Sequence, residues 1–95
     1  MRATVNGTVI AESDATVVVE GNHYFPPDSI KNEYFRAAAS GHSTVCPWKG
    51  TSAYFDITVD GQTLDNVAWT YPEPKTDAEH IRDHVAFYPQ VTVTD

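Results

Sequence analysis

Two dipeptides, Asn6-Gly7 and Asp60-Gly61, constrain the fold of this 95-residue chain more than any other feature, because each stands between runs of β-branched and aromatic residues. A two-residue type I′ turn needs positive φ at both central positions, which Asn, Asp and Gly tolerate. The first dipeptide predicts a hairpin of residues 2–6 with 8–12, and the β-branched run 15–20 predicts a third strand that completes a meander. The chain is therefore expected to be mainly β.

The second dipeptide predicts a longer hairpin, in which residues 52–59 pair with 62–71. A two-residue turn fixes the register, so opposed residue numbers sum to 121, and Asp56 lies opposite Asp65. Like charges directly opposed on a sheet are destabilising. A β-bulge or plain solvent exposure is the favoured resolution, and a functional carboxylate pair is the alternative.

Both faces of this hairpin carry apolar side chains. The register sets Ile57 opposite Leu64 with Phe55 on the same face, while Tyr54 lies on the other face. Such a pattern predicts either a sheet covered on both sides or a curled sheet that encloses a pocket.

One or two short helices are expected beside the sheets. Asp28 or Ser29 follows a Pro-Pro pair and could cap a helix over residues 30–39. The segment Thr76-Asp77-Ala78-Glu79 reads as a capping box before a second helix that ends by Pro89. Residues 84–88 also fit an extended segment, and residues 91–94 predict a closing strand.

Composition limits the compartment and the partners. Ninety-five residues fit a single domain, residues 1–95. Thirteen acidic against six Lys and Arg residues give a net charge of −7, which disfavours nucleic acid and anionic membrane surfaces as partners. The single Cys46 can form no internal disulfide, and the sequence contains neither a leader-like start nor a membrane-length apolar run. We therefore expect a cytoplasmic protein.

The segment Cys46-Pro47-Trp48-Lys49-Gly50 is the strongest candidate for chemistry. A neighbouring cation such as Lys49 favours the thiolate form of a cysteine and makes it nucleophilic. The predicted register pairs Gly50 with Tyr71, which would bring this loop beside Trp69 and Tyr71 and form a pocket with aromatic walls. The alternative is a buried, inert Cys46 with a solvated Lys49, in which the aromatic residues are core.

Histidines offer a weaker signal. His80 and His84 are four residues apart, so on a helix they would share a face and resemble half of a metal site. No paired Cys motif supplies the remaining ligands, and we predict neither a metal nor another cofactor. His84 is a candidate for proton transfer, with a surface histidine pair as the alternative.

The chain resembles the bacterial family known as domain of unknown function 427. The resemblance covers essentially the whole chain and is most specific in three segments, namely residues 46–50, Ala68-Trp69-Thr70-Tyr71-Pro72 and Ala86-Phe87-Tyr88. It implies a β-tent fold with curled sheets, similar to Mss4-like proteins. Relatives of that architecture often hold zinc with paired Cys motifs, which one cysteine cannot supply. The nucleotidyltransferase label that this family has borne finds no supporting residues here.

The resemblance also implies that six residues form a shared site: Cys46, Lys49, Tyr54, Trp69, Tyr71 and Tyr88. The preferred hypothesis is an enzyme acting on a small molecule, with Cys46, Lys49 and His84 as catalytic residues. The predicted ligand-binding walls are Trp48, Tyr54, Trp69, Tyr71 and Tyr88. A non-catalytic ligand-binding domain and a protein-interaction module remain open alternatives, and the sequence does not determine the oligomeric state.

Overall fold

A computed structural model describes all residues, 1–95, and shows a mainly β architecture of small antiparallel sheets. The predicted fold class is confirmed. None of the helices is long and apolar enough to cross a membrane.

The first sheet has three strands in the order β11-β1-β2. The Asn6-Gly7 turn joins β1 (Arg2–Val5) to β2 (Thr8–Glu12), as predicted, and the closing strand β11 (Thr92–Thr94) pairs with β1. The expected third strand of a meander is wrong. Residues Val17–Val19 do form a strand, β3, but it leaves this sheet.

The strand β3 pairs instead with β4 (Asn22–Tyr24) in a separate hairpin whose turn is Glu20-Gly21. Both turn residues have positive φ, 52° and 80°, as a type I′ turn requires. Reciprocal backbone hydrogen bonds between Phe25 and Val85, of 2.8 and 2.9 Å, attach this hairpin to the neighbouring sheet.

The largest sheet has four strands in the order β10-β9-β8-β5. The Asp60-Gly61 turn joins β8 (Ala53–Val59) to β9 (Gln62–Thr70), again as predicted. The outer strands are β5 (Phe35–Ala37) and β10 (Val85–Phe87). A fourth, two-stranded sheet consists of β6 (Val45–Cys46) and β7 (Gly50–Thr51).

A bulge divides the β8–β9 hairpin into two registers. Near the turn, Ile57 faces Leu64 and the residue numbers sum to 121, as predicted, but beyond the bulge Tyr54 faces Trp69 and they sum to 123. The carboxylate of Asp56 is buried at this point and accepts hydrogen bonds from the backbone N–H groups of Asn66 (2.9 Å) and Ala39 (3.0 Å). Asp56 and Asp65 are therefore not opposed, which agrees with the favoured bulge.

The first predicted helix is wrong, and the second is present but shorter than predicted. Residues 30–39 hold only the 3-10 turn Asn32–Tyr34 followed by strand β5, because Phe35 is needed in the ladder opposite Ile57. The second helix is a 3-10 helix, Thr76–Ile81, whose N-cap is Lys75 without a side-chain capping bond. The extended alternative for 84–88 is the one observed, as β10. A third 3-10 turn covers Pro27–Ser29.

Two groups of buried side chains result. The first, the apolar cluster, fills the space between the three-stranded and four-stranded sheets. Its thirteen members carry no polar side-chain atom: Ala3, Val5, Ile10, Ala11, Phe25, Phe35, Ile57, Val59, Val67, Ala68, Val85, Phe87 and Val91.

Candidate functional site

The second group, the aromatic cluster, lies at the other end of the β8–β9 hairpin. Its buried members are Tyr24, Tyr54, Trp69, Tyr71, Ala78, Ile81 and Ala86. Side chains alternate across a strand, so Trp69 and Tyr71 project to one face, and pairing with β8 and β10 places Tyr54 and Ala86 beside Trp69. The structure therefore brings together three of the predicted binding residues.

Trp69 joins the parts of the aromatic cluster. Its indole Nε1–H donates a 3.1 Å hydrogen bond to the hydroxyl of Tyr24, and the two rings meet edge to face with centroids 6.2 Å apart. On its other side, the ring centroid of Tyr88 is 4.7 Å away. The N–H of the buried Trp69 indole is therefore hydrogen-bonded, and the same ring contacts the partly exposed Tyr88.

Tyr88, also predicted as a binding residue, lies over the edge of the aromatic cluster. Its ring is stacked with that of Tyr54, with centroids 6.2 Å apart and planes 13° apart, and the two hydroxyl oxygens are 3.2 Å apart. Thr44 continues the chain of hydroxyls, 3.2 Å from Tyr54 and 2.7 Å from buried Ser52. The hydrogen bond with Tyr54, together with burial, raises the pKa of Tyr88 to about 12.

His42 is a member of this surface that sequence reasoning missed. Its ring centroid lies 4.4 Å from that of Tyr54. The two residues are twelve positions apart and His42 itself lies in an irregular segment, so neither spacing nor periodicity signals the contact.

Lys49 is buried, which the alternative of a solvated lysine did not anticipate. Its side chain is only 8% exposed, and its ammonium forms a salt bridge with the Glu20 carboxylate at the tip of the β3–β4 hairpin. The ammonium lies 5.6 Å from the ring centroid of Trp48 and 5.4 Å from that of Tyr71, within range of cation–π attraction. Burial is the largest single influence and lowers the pKa of Lys49, but the Glu20 hydrogen bond and the electrostatic interactions with Tyr24, Tyr71 and Glu20 together outweigh it and raise the pKa. Lys49 therefore remains charged at neutral pH.

The strand pairing at the end of the loop that carries Lys49 differs from the prediction. Gly50 pairs with Cys46 rather than with Tyr71. Gly50 has φ of 114°, and a Cβ there would lie 3.3 Å from the carbonyl oxygen of Glu73, so glycine permits the close approach of the following segment. The Lys75 backbone N–H donates to the Lys49 carbonyl (2.9 Å), and its ammonium donates to the Pro47 carbonyl (2.7 Å).

Cys46 is half-buried and packs against the aromatic cluster. The ammonium of Lys49 is paired with Glu20 at a neighbouring point of the same cluster. The structure thus places Cys46 near the aromatic rings, and its reactivity stays a prediction.

His84 lies outside the group of aromatic contacts. Its Nδ1 is 2.9 Å from the carbonyl oxygen of Arg82. The 3-10 helix ends at Ile81, so His80 and His84 share no helical face. No group of three or more His, Cys, Asp or Glu side chains is placed to hold a metal ion.

The predicted pocket between the Cys46–Gly50 loop and the end of β9 is not formed; no pocket opens anywhere in the structure. The Lys49 side chain occupies that place, with its ammonium over the Tyr71 ring. Two large aromatic side chains remain accessible, each 39% exposed: Trp48, beside the Lys49 ammonium, and Tyr88, beside the ring of Trp69.

Comparison with known proteins supports the resemblance noted in the sequence. No curated protein matches the chain. The family model with the short name NTP_transf_9, described as "Domain of unknown function (DUF427)", matches residues 1–95, which is the whole chain. The chain belongs to this family of unknown function.

Proposed function

We propose that this protein binds a small organic molecule on the exposed side of the aromatic cluster. The observation that carries the proposal is that Trp48 and Tyr88, two large aromatic side chains, are each 39% exposed beside rings that are buried. Aromatic side chains combine a large apolar contact area with few rotatable bonds, which suits them to ligand contact.

The rings around Tyr88 are held before any ligand arrives. Tyr54 stacks on Tyr88 and bonds to its hydroxyl, and Trp69 contacts it from the other side. Because those neighbours are buried, little side-chain entropy remains to be lost when a flat molecule lies on this surface. A shallow platform of this kind needs no enclosed cavity.

The catalytic version of the proposal uses the same surface. Cys46 is the nucleophile, and Lys49 supplies positive charge for the thiolate or for an anionic substrate. His84, which lies outside the aromatic contacts, is the residue proposed for proton transfer. The partial exposure of Cys46 beside the aromatic cluster favours this version. The charged state of Lys49 assigns it to electrostatic attraction and excludes it as a base at neutral pH.

Location and other partners follow as proposals. We place the protein in the cytoplasm, since one cysteine requires no oxidising compartment. Nucleic acid and anionic membranes are poor partners for a chain of net charge −7.

Binding is tested by titrating the protein with benzoate and with its neutral analogue benzamide, while the aromatic resonances are followed by NMR. We expect saturable shifts of the Trp48 and Tyr88 ring signals, and binding about five- to tenfold weaker in Tyr88→Ala. Val18→Ala, at an exposed apolar position on β3, is the matched control and should bind like the wild type. If neither probe binds, or if Tyr88→Ala binds unchanged, the proposed surface is wrong.

The catalytic version is tested by the pH dependence of Cys46 alkylation in the native protein, repeated in Lys49→Ala and His84→Ala. An apparent pKa well below the free-thiol value of about 8.5, restored by either substitution, would support it and name the activating residue. A thiol that reacts only on unfolding would make Cys46 structural and leave the binding proposal in place.

A further inference from the structure

Lys49 is the one lysine or arginine that this fold buries. Removing an ammonium from water costs several kcal/mol unless a partner offsets the loss. The partner here is a single carboxylate, that of Glu20, and the two are unequal: the Lys49 side chain is 8% exposed and the Glu20 side chain is 54% exposed. One half of the ion pair is fixed in the protein, while the other half remains largely in solvent.

The position of Glu20 is unusual among the turns of this molecule. The three hairpins β1–β2, β3–β4 and β8–β9 have turns of one geometry, with first residues at φ of 49°, 52° and 51° and a glycine second. The first residues of the other two turns are Asn6 and Asp60, which tolerate this left-handed conformation, whereas Glu20 stands in the third. The residue that departs from the turn preference is the one whose side chain reaches Lys49, 29 positions along the chain.

We propose that Glu20 is a displaceable internal counterion, and that Lys49 is the binding group for the carboxylate or phosphate of a small aromatic anion. This inference rests on the proposed function, because it names the ligand class of the same surface. An anionic group on Lys49 would leave the ring of the ligand beside Trp48, whose indole centroid is 5.6 Å from the ammonium.

Displacement of the Glu20 carboxylate from the Lys49 ammonium has a small free-energy cost for Glu20. Its carboxylate is already largely hydrated, so release into water requires little further solvation, and exposed ion pairs contribute little. On the Lys49 side, the incoming anion replaces one negative charge with another, so the buried ammonium is never left unpaired. The present pairing holds the pKa of Glu20 below its ordinary value, so the carboxylate is charged and competes at neutral pH.

The experiment compares benzoate, phenyl phosphate and neutral benzamide in the wild type, in Glu20→Gln and in Glu20→Asp. Glutamine removes the competing charge, and aspartate keeps the charge but shortens the reach while suiting the turn. We expect both substitutions to tighten binding of the anions about two- to fivefold, the range of a partly exposed ion pair, and to leave benzamide unchanged. Whichever anion binds more tightly identifies the preferred group, carboxylate or phosphate.

Glu12→Gln is the matched control. Glu12, like Glu20, is a half-exposed glutamate in a salt bridge; its partner is Arg2, and its side chain is 55% exposed. It lies on β2, away from Lys49, and its substitution should leave all three affinities unchanged. Lys49→Met should abolish the preference for anions over benzamide.

The outcomes separate this inference from the function on which it rests. Equal binding of benzamide and benzoate, or no tightening in Glu20→Gln and Glu20→Asp, would overturn the anion site while the aromatic surface stands. No binding of any probe, including in Glu20→Gln, would overturn both.

Discussion

The two buried clusters of this molecule differ in what their side chains require when they are buried. The apolar cluster lies between two sheets and consists of aliphatic and phenylalanine side chains with alanine, which require only dense packing. The aromatic cluster is smaller, and four of its members carry an N–H or O–H at the end of a ring. Each such group needs a hydrogen-bond partner at a defined distance when it is buried.

The difference shows which part of the fold can carry specificity. An apolar core tolerates exchange of similar volumes, whereas hydrogen-bonded rings permit one arrangement. The Trp69–Tyr24 bond and the Thr44–Tyr54–Tyr88 chain fix ring positions, and the only buried cation lies at the same end of the molecule. We therefore expect stability to depend chiefly on the apolar cluster, and the proposed recognition to depend on the aromatic one.

The largest expected effect is at the apolar end. Phe25→Ala should lower the free energy of unfolding by about 3–5 kcal/mol, because the ring is fully buried and meets Phe87 edge to face at 5.5 Å. Urea denaturation measures the loss, and benzoate titration of the remaining folded protein should show unchanged affinity. A change of benzoate affinity without a large loss of stability would contradict the assignment of stability to the apolar cluster and of recognition to the aromatic cluster.

The boundary between the clusters gives the next largest effect. Asp56→Ala leaves two backbone N–H groups, of Ala39 and Asn66, without their acceptor, and should cost about 2–4 kcal/mol. Asp65→Ala, at the exposed neighbour in the same bulge, is the control and should change stability by less than about 0.5 kcal/mol. Similar losses for both variants would mean that Asp56 does not hold the bulge.

A single hydroxyl at the aromatic end has a smaller effect on stability and a specific one on titration. Tyr54→Phe removes the partner of Thr44 and Tyr88 and should cost about 0.5–1.5 kcal/mol. It should also return the phenol of Tyr88 from a pKa of about 12 towards its ordinary value, since the Tyr54 hydrogen bond is the largest cause of the shift. Phenolate absorbance against pH measures this, and an unchanged titration curve would contradict it.

The smallest effect concerns the Lys49–Glu20 pair. The pKa of Glu20 is lowered in the folded state, so its contribution is present above its ordinary pKa and is lost as the pH falls through the lowered value. The pKa of Lys49 is raised, so its contribution is present below its ordinary pKa and is lost only as the pH rises through the raised value. Tryptophan fluorescence should therefore show an acid transition that Glu20→Gln lacks and Glu12→Gln retains. An acid transition unaltered by Glu20→Gln would place its origin elsewhere.

The features that were predicted correctly, two hairpins and a bulge, depend on residues close together in the sequence. Asn6-Gly7 and Asp60-Gly61 locate two hairpins because their turn type depends on those residues alone, and opposed Asp56 and Asp65 correctly favoured a bulge. Glu20-Gly21 makes the same turn without the usual residue, so that hairpin was missed. The helix predicted over residues 30–39 and the end of the second predicted helix were wrong because short apolar spacings fit two periods, and strand pairing decided between them.

The members of the aromatic cluster were predictable from the sequence, and their contacts were not. Trp69, Tyr71 and Tyr54 follow from strand alternation. The partner of Lys49 comes from a hairpin 29 residues away, and His42 reaches Tyr54 from a segment without regular structure, so neither contact has a local signal.

The bulge in β9 also determines which changes of length this chain tolerates. Ile57 faces Leu64 and Phe55 faces Ala68, so β9 carries two residues more than β8 between those pairs. An even number preserves the alternation of faces. Deletion of Asp65 and Asn66 together would leave a continuous ladder with every side chain on its present face. Deletion of either residue alone would move the side chains on one side of the deletion to the opposite face of the sheet. We therefore expect the fold to tolerate insertions and deletions at this site only in pairs of residues.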